Sequence, residues 1–130
     1  MKAVSVDIVY LLNAAGQGVS GVDLFAMAWA EGVDAQTLIL DNAGQDSPMK
    51  ETYEAPGFQL LVRGEKGEDL NTAYTKIRTI HEYLIGEPAQ TVDGTDYNGF
   101  EPLSTITGLG RDDNDRAVFS MNYYTFRNPK

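Results

Sequence analysis

The 130-residue chain offers few side chains able to do chemistry. His81 is its single histidine and cysteine is absent, which removes thiolate metal sites and disulfides. His81 stands between Ile77 and Leu84 on a helical pattern, with no acid or nucleophile that can be named as its partner. That marks a boundary histidine and not a general base. Ser104 and Ser120 lie in β-like runs without the glycines of a nucleophile elbow. The densest set of oxygens is Arg111-Asp112-Asp113-Asn114-Asp115-Arg116. A calcium loop starting at Asp113 or Asp115 would lack its central glycine and closing glutamate, and the two arginines compete for the carboxylates, so the segment reads as a solvated hairpin tip. Gly108 and Gly110 begin a GxG pattern that does not lead from a strand into a helix. Tyr10, Tyr53, Tyr74, Tyr97, Tyr123 and Tyr124 are scattered and not interleaved with basic residues, as base stacking would require. The expectation is a protein without catalysis, metal or cofactor.

Charge narrows the partners. The chain carries 19 acidic against 10 basic residues, a net charge of -9, whereas a grip on a phosphate backbone comes from clustered Lys and Arg. DNA is repelled on average. No run approaches the ~20 apolar residues of a membrane span, and Asp7 and Asn13 interrupt the apolar start. The chain is therefore expected to be soluble and cytoplasmic, with residues 1–130 forming a single domain around one core.

The elements that must position these side chains follow from periodicity. Phe58 to Arg63 is an almost unbroken apolar run, suited to a strand buried on both faces. Leu70, Ala73, Tyr74, Ile77, Ile80 and Leu84 then share one face of a helix, with Glu68 and Asp69 at its start and Gly86 and Pro88 at its stop. Val4, Ile8, Leu11, Leu12 and Ala15 predict a short amphipathic helix ending at Gly16 and Gly18. Alternation over Val22–Ala30 puts Phe25, Met27 and Trp29 on one face of a strand, although its alanines also permit a helix. With a turn at Glu31–Asp34 and the β-like run from Ala35 to Asn42, it reads as a hairpin. Asn42 to Gly57 reads as a long loop. Asp93-Gly94 and Asn98-Gly99 are turn dipeptides, and Leu103–Gly110 with Ala117–Arg127 brackets the polar tip as a second hairpin. On its final strand Phe119, Met121 and Tyr123 alternate with Val118, Ser120, Asn122 and Tyr124. The order implies an α+β fold: an antiparallel or mixed sheet with two main helices packed on one face. Its expected core is Ile8, Leu12, Leu38, Leu40, Leu60, Val62, Ile77, Ile80, Leu84, Phe119 and Met121.

From about Leu24 to Asn128 the chain resembles the tail terminator and minor capsid proteins of long-tailed bacteriophages. The resemblance is carried by FQLLVRG with the helix ending HEYLIGEP, and by TVDGTDYNGFEPLSTITGLGRDDNDRAVFSMNYYTFRN. Most specific is Leu109-Gly110-Arg111-Asp112, a polar turn closed by Arg116, then Phe119-Ser120 and Asn122-Tyr123, matching the family's "LGRD…GR…FS.NF" pattern. Arg63 falls where the family's buried strand ends in Val-Arg. Asn114-Asp115 replaces the usual glycine-containing pair. The resemblance implies a ring, typically hexameric, on the head-proximal end of the tail tube, which stops tube polymerisation and joins the filled head. It implies no catalytic residues. The implied partners are further copies of the chain, the tail tube protein and a head-completion or neck protein, with DNA passing through unbound. The location would be the virion's head–tail junction, with assembly in the host cytoplasm. A head-completion or adaptor protein with a small-molecule pocket is the competing class, and a small hydrolase a third, for which no residue set speaks.

Interface candidates follow from exposure and isolation. Met49 and Tyr53 are lone apolar anchors between Pro48 and Pro56, and the tip residues Arg111, Asp112, Asp113, Asp115 and Arg116 would assist them. Arg63, Trp29 and Tyr124 complete the set on strand faces.

Overall fold

A computed structural model describes residues 3–45 and 54–128. In chain order the elements are α1 (Val4–Ala14), β1 (Leu24–Ala26), β2 (Gln36–Gln45), β3 (Ala55–Lys66), α2 (Leu70–Gly86), β4 (Ala89–Val92), β5 (Thr95–Pro102), β6 (Thr107–Arg111) and β7 (Arg116–Arg127). The apolar run at Phe58–Arg63 lies in β3, at the middle of a sheet ordered β1-β2-β3-β7-β5-β4. β6 and β5 share β7, the first along Ala117–Ser120 and the second along Tyr123–Arg127. Only β1 and β2 run parallel, so the sheet is mixed and the fold is α+β. α2 packs on β3, β5 and β7, whereas α1 packs on β1, β2 and β3 and also touches β4 at the opposite edge. The sheet thus curls around its helix layer.

Local chemistry explains both helices. Asp69 caps α2 by accepting the Asn71 N–H at 2.8 Å, and Ala73, Ile77, Ile80 and Leu84 bury one face against Phe58, Leu60, Val62 and Met121. α1 buries Ile8 and Leu12 and also, unusually, Ser5 and Asp7. Their polar atoms are satisfied across the core: the Ser5 N–H and hydroxyl both donate to the Asp41 carboxylate at 2.9 Å, and the Tyr97 hydroxyl donates to Asp7.

Several expectations are corrected. Val22–Ala30 is not one arm of a hairpin. Its strand is only Leu24–Ala26, because Met27 takes φ 76° and turns the chain away, and the loop that follows crosses over to bring β2 in parallel. Trp29 therefore sits in that loop. The phase of β2 is the reverse of the one expected: Ile39 enters the helix-side core, while Leu38 and Leu40 face the other side, Leu38 buried and Leu40 half-buried. Only the two ends of the long loop expected from Asn42 to Gly57 are corrected, since β2 continues to Gln45 and pairs there with Ala55, while residues 46–53 lie outside the described residues. Pro56 falls in the register shift between these pairs, where a missing N–H is tolerated. Asp93-Gly94 does make the turn, joining β4 to β5 with φ 48° and 82° as a two-residue hairpin requires. Asn98-Gly99 instead forms a bulge inside β5, with Gly99 at φ 79° where the register to β7 slips.

Candidate functional site

The residues that carry the sequence pattern meet at one end of the sheet. Arg63 on β3 is buried, 7% exposed, and pairs in register with Gln36 on β2. Together these two side chains hold the β1–β2 loop. Arg63 donates to the Asp34 carbonyl through Nε at 3.0 Å and to the Val33 carbonyl through a terminal nitrogen at 2.8 Å. Gln36 donates to the Ala30 and Val33 carbonyls at 3.0 and 2.6 Å and accepts the Ala30 N–H at 2.9 Å. The loop closed in this way lays the Trp29 ring over the Arg63 guanidinium. Burial, then the charge of Arg116, lowers the Arg63 pKa from its ordinary value, while Asp112 and Asp34 oppose the shift.

The hairpin tip is folded back onto the same end. Asp112 accepts the N–H groups of Asn114 and Arg116 at 3.0 Å with one oxygen and Arg116 Nε at 2.9 Å with the other. Arg116 reaches on to Asp34 at 3.1 Å. Partial burial pushes the Asp112 carboxyl up, but the hydrogen bonds from Arg116 and Asn114 outweigh it and hold the group below its usual range. Arg111 donates to the Glu68 carbonyl at 2.8 Å and to the Asp115 carbonyl at 3.1 Å, and the Asp115 carbonyl also accepts the Gly67 N–H at 2.9 Å. Asp113 is exposed. So three arginines bind the β1–β2 loop, the start of α2 and the β6–β7 tip into one unit.

Tyr124 stands apart. It lies about 20 Å further along β7 than Val118, the partner of Arg63, at ~3.4 Å per residue. There it pairs with Gly57, packs edge-on against Phe126 and shares the helix-free face with Asn122, which accepts from Asn42 at 2.9 Å. Met49 and Tyr53 lie outside the described residues. The described chain resumes at a clamp: Glu54 and Arg127 exchange backbone hydrogen bonds at 2.9 Å and also pair through their side chains. The members that sequence reasoning missed are Asp34, Gln36 and Glu68. The last contributes only a carbonyl to Arg111, which no residue type advertises.

His81 does have a partner, Tyr123, with Nδ1 2.6 Å from the phenol oxygen, but a buried phenol is not a nucleophile. Among the described residues no three His, Asp or Glu side chains stand close enough to share a metal ion, and no helix is long and apolar enough to cross a membrane.

No individually curated protein matches the chain. The family model for the bacteriophage tail terminator protein, however, matches residues 11–127, which takes in β1 to β7, α2 and every arginine of the pinned end. That family is structural and belongs to the phage tail, hence to the virion, where its members meet tail and head components. A curled α+β sheet whose signature arginines serve to hold loops in place, matched along nearly all its length, belongs to the bacteriophage tail terminator family.

Proposed function

We propose that the chain assembles into a homo-oligomeric ring, a hexamer, at the head-proximal end of the tail tube, where it ends tube polymerisation and presents the surface that joins the filled head. The family match over residues 11–127 carries this reading. The charge suits it: a ring of subunits, each at -9, lets DNA pass without holding it. The partners are further copies of the chain, the tail tube protein and a head-completion or neck protein, and assembly takes place in the host cytoplasm. In a closed ring each subunit presents one patch to a different patch on the next. We assign these contacts to Met49 and Tyr53, which lie between β2 and β3 in the sequence, and to the tip with Arg111, Asp112, Asp113, Asp115 and Arg116. The surfaces around Trp29 and Tyr124 are the second choice.

Native mass of the purified protein, followed by electron microscopy of tail tubes grown with it, tests the reading. Six-membered rings on tube ends are expected. Replacing residues 46–53 by a short Gly/Ser linker leaves Gln45, Ala55 and the Glu54–Arg127 clamp in place, so the subunit stays folded while rings or their attachment are lost. A monomer that leaves tubes growing overturns the function. Rings that still cap tubes after the replacement move the contact to Trp29 and Tyr124.

A further inference from the structure

Tyr123 is fully buried on β7, stacked on Phe58 with ring centroids 5.1 Å apart. Among the described residues its hydroxyl meets one side chain, that of His81 on α2, with Nδ1 2.6 Å away. A buried hydroxyl needs an acceptor for its proton. Were Nδ1 protonated, the phenol proton would have none. With Nδ1 bare the tyrosine donates to it and both groups are satisfied, so the contact selects neutral His81 carrying its proton on Nε2. The charged groups near the ring are Arg78 and Glu82 on α2, paired with each other at 3.1 Å. β7 adds Tyr123, and the Pro102–Ile106 segment opposite adds Ser104 and Thr105 but nothing that titrates near neutrality. Between that segment and α2 runs a groove of about 490 Å³, with His81 in its wall.

We propose that His81 and Tyr123 form a proton-sensitive latch, which clamps the C-terminal half of α2 to the centre of β7 at neutral pH and releases it into this groove when His81 is protonated. Protonation turns Nδ1 from acceptor to donor and strands the buried hydroxyl proton, so contact and charge oppose each other. Burial, then the positive charge of Arg78, holds His81 below its ordinary value, with Glu82 opposing. The unfolded chain therefore takes up this proton first. The stabilisation from the latch is whole well above about pH 6.5 and is lost as pH falls through the folded value. The latch belongs to the single subunit and does not rest on ring assembly.

Because His81 is the only histidine, long-range nitrogen–proton NMR of the labelled protein reads its ring without ambiguity. The expected results are the Nε2–H tautomer at neutral pH, a titration midpoint below that of free histidine, and a midpoint moved upward in Tyr123→Phe. Amide protection factors over His81–Gly86 should fall below the midpoint in the parent and show no such step in His81→Gln. An Nδ1–H tautomer in the parent overturns the latch, as does a midpoint unmoved by Tyr123→Phe or protection that stays constant through the titration. The tautomer and protection of the parent decide the matter even if Tyr123→Phe does not fold.

Discussion

The guanidinium carbon of Arg63 stands 4.4 Å from the centre of the Trp29 ring, while its nitrogens hold the Val33 and Asp34 carbonyls. A residue near the end of a central strand thereby fixes a loop that precedes it by some thirty positions. Arg63→Ala removes the donors to both carbonyls and should cost about 1.5–3 kcal/mol, the range for hydrogen bonds to charged groups. Trp29 is the only tryptophan, so urea unfolding followed by its fluorescence reads stability and loop placement together. Arg63→Lys should fall between, because one ammonium cannot reproduce the fork. A parent-like midpoint and emission maximum in Arg63→Ala would show that the loop holds itself.

At the tip, acid should loosen the structure through Asp112. Its carboxyl is held below the usual range, so the unfolded chain binds the proton first. The stabilisation is present above about pH 5 and is lost as pH falls through the folded value. Asp112→Asn should lower the melting temperature at neutral pH and flatten its decline on acidification. Parallel pH profiles for parent and variant would contradict the assignment.

The phase of the sheet predicts an asymmetry in the core. Leu60→Ala or Ile77→Ala, both at fully buried positions, should cost about 2–5 kcal/mol from lost burial and the cavity left behind. Leu40→Ala, half-buried on the helix-free face, should cost clearly less. Equal losses in chemical denaturation would mean that this face is covered as well as the other.

Asp7 is 1% exposed and is held by the Tyr97 hydroxyl, to which Arg127 also donates at 3.3 Å. Burial first, then the hydrogen bond to Asp7, drives the Tyr97 pKa far above its ordinary value. Tyr97→Phe leaves the carboxylate buried without this donor and should cost about 1–3 kcal/mol. Thermal melts of Tyr97→Phe and of Tyr97→Phe combined with Asp7→Asn check this: the second change should recover part of the loss, and no recovery would place the cost elsewhere.

Duplex DNA should not bind detectably at physiological salt, given the charge of -9. Salt-sensitive micromolar binding by anisotropy would reveal a basic surface that the charge count hides.

Features set by neighbours along the chain are legible in the residues themselves. The period of α2, the apolar run of β3, the Asp93-Gly94 turn and the Asp69 cap each depend on residues within a turn or two, and all stand where the sequence places them. The family resemblance from about Leu24 to Asn128 agrees with the match over 11–127 for a related reason, since turn chemistry and strand patterns travel together in the sequence. What the sequence leaves undecided are choices between equally good local answers. Leu38-Ile39-Leu40 is apolar at every position, so alternation cannot say which face meets the helices; Ser5 binding Asp41 and Ile39 entering the core settle it in three dimensions. Asn98-Gly99 suits a turn or a bulge, and only the pairing of β5 with β7 selects the bulge. The convergence of Arg63, Arg111 and Arg116 depends most on tertiary structure. Their partners are largely carbonyls and carboxylates brought from other segments, and the long arginine side chain finds them by reach, a property of the folded chain that no spacing in the sequence encodes.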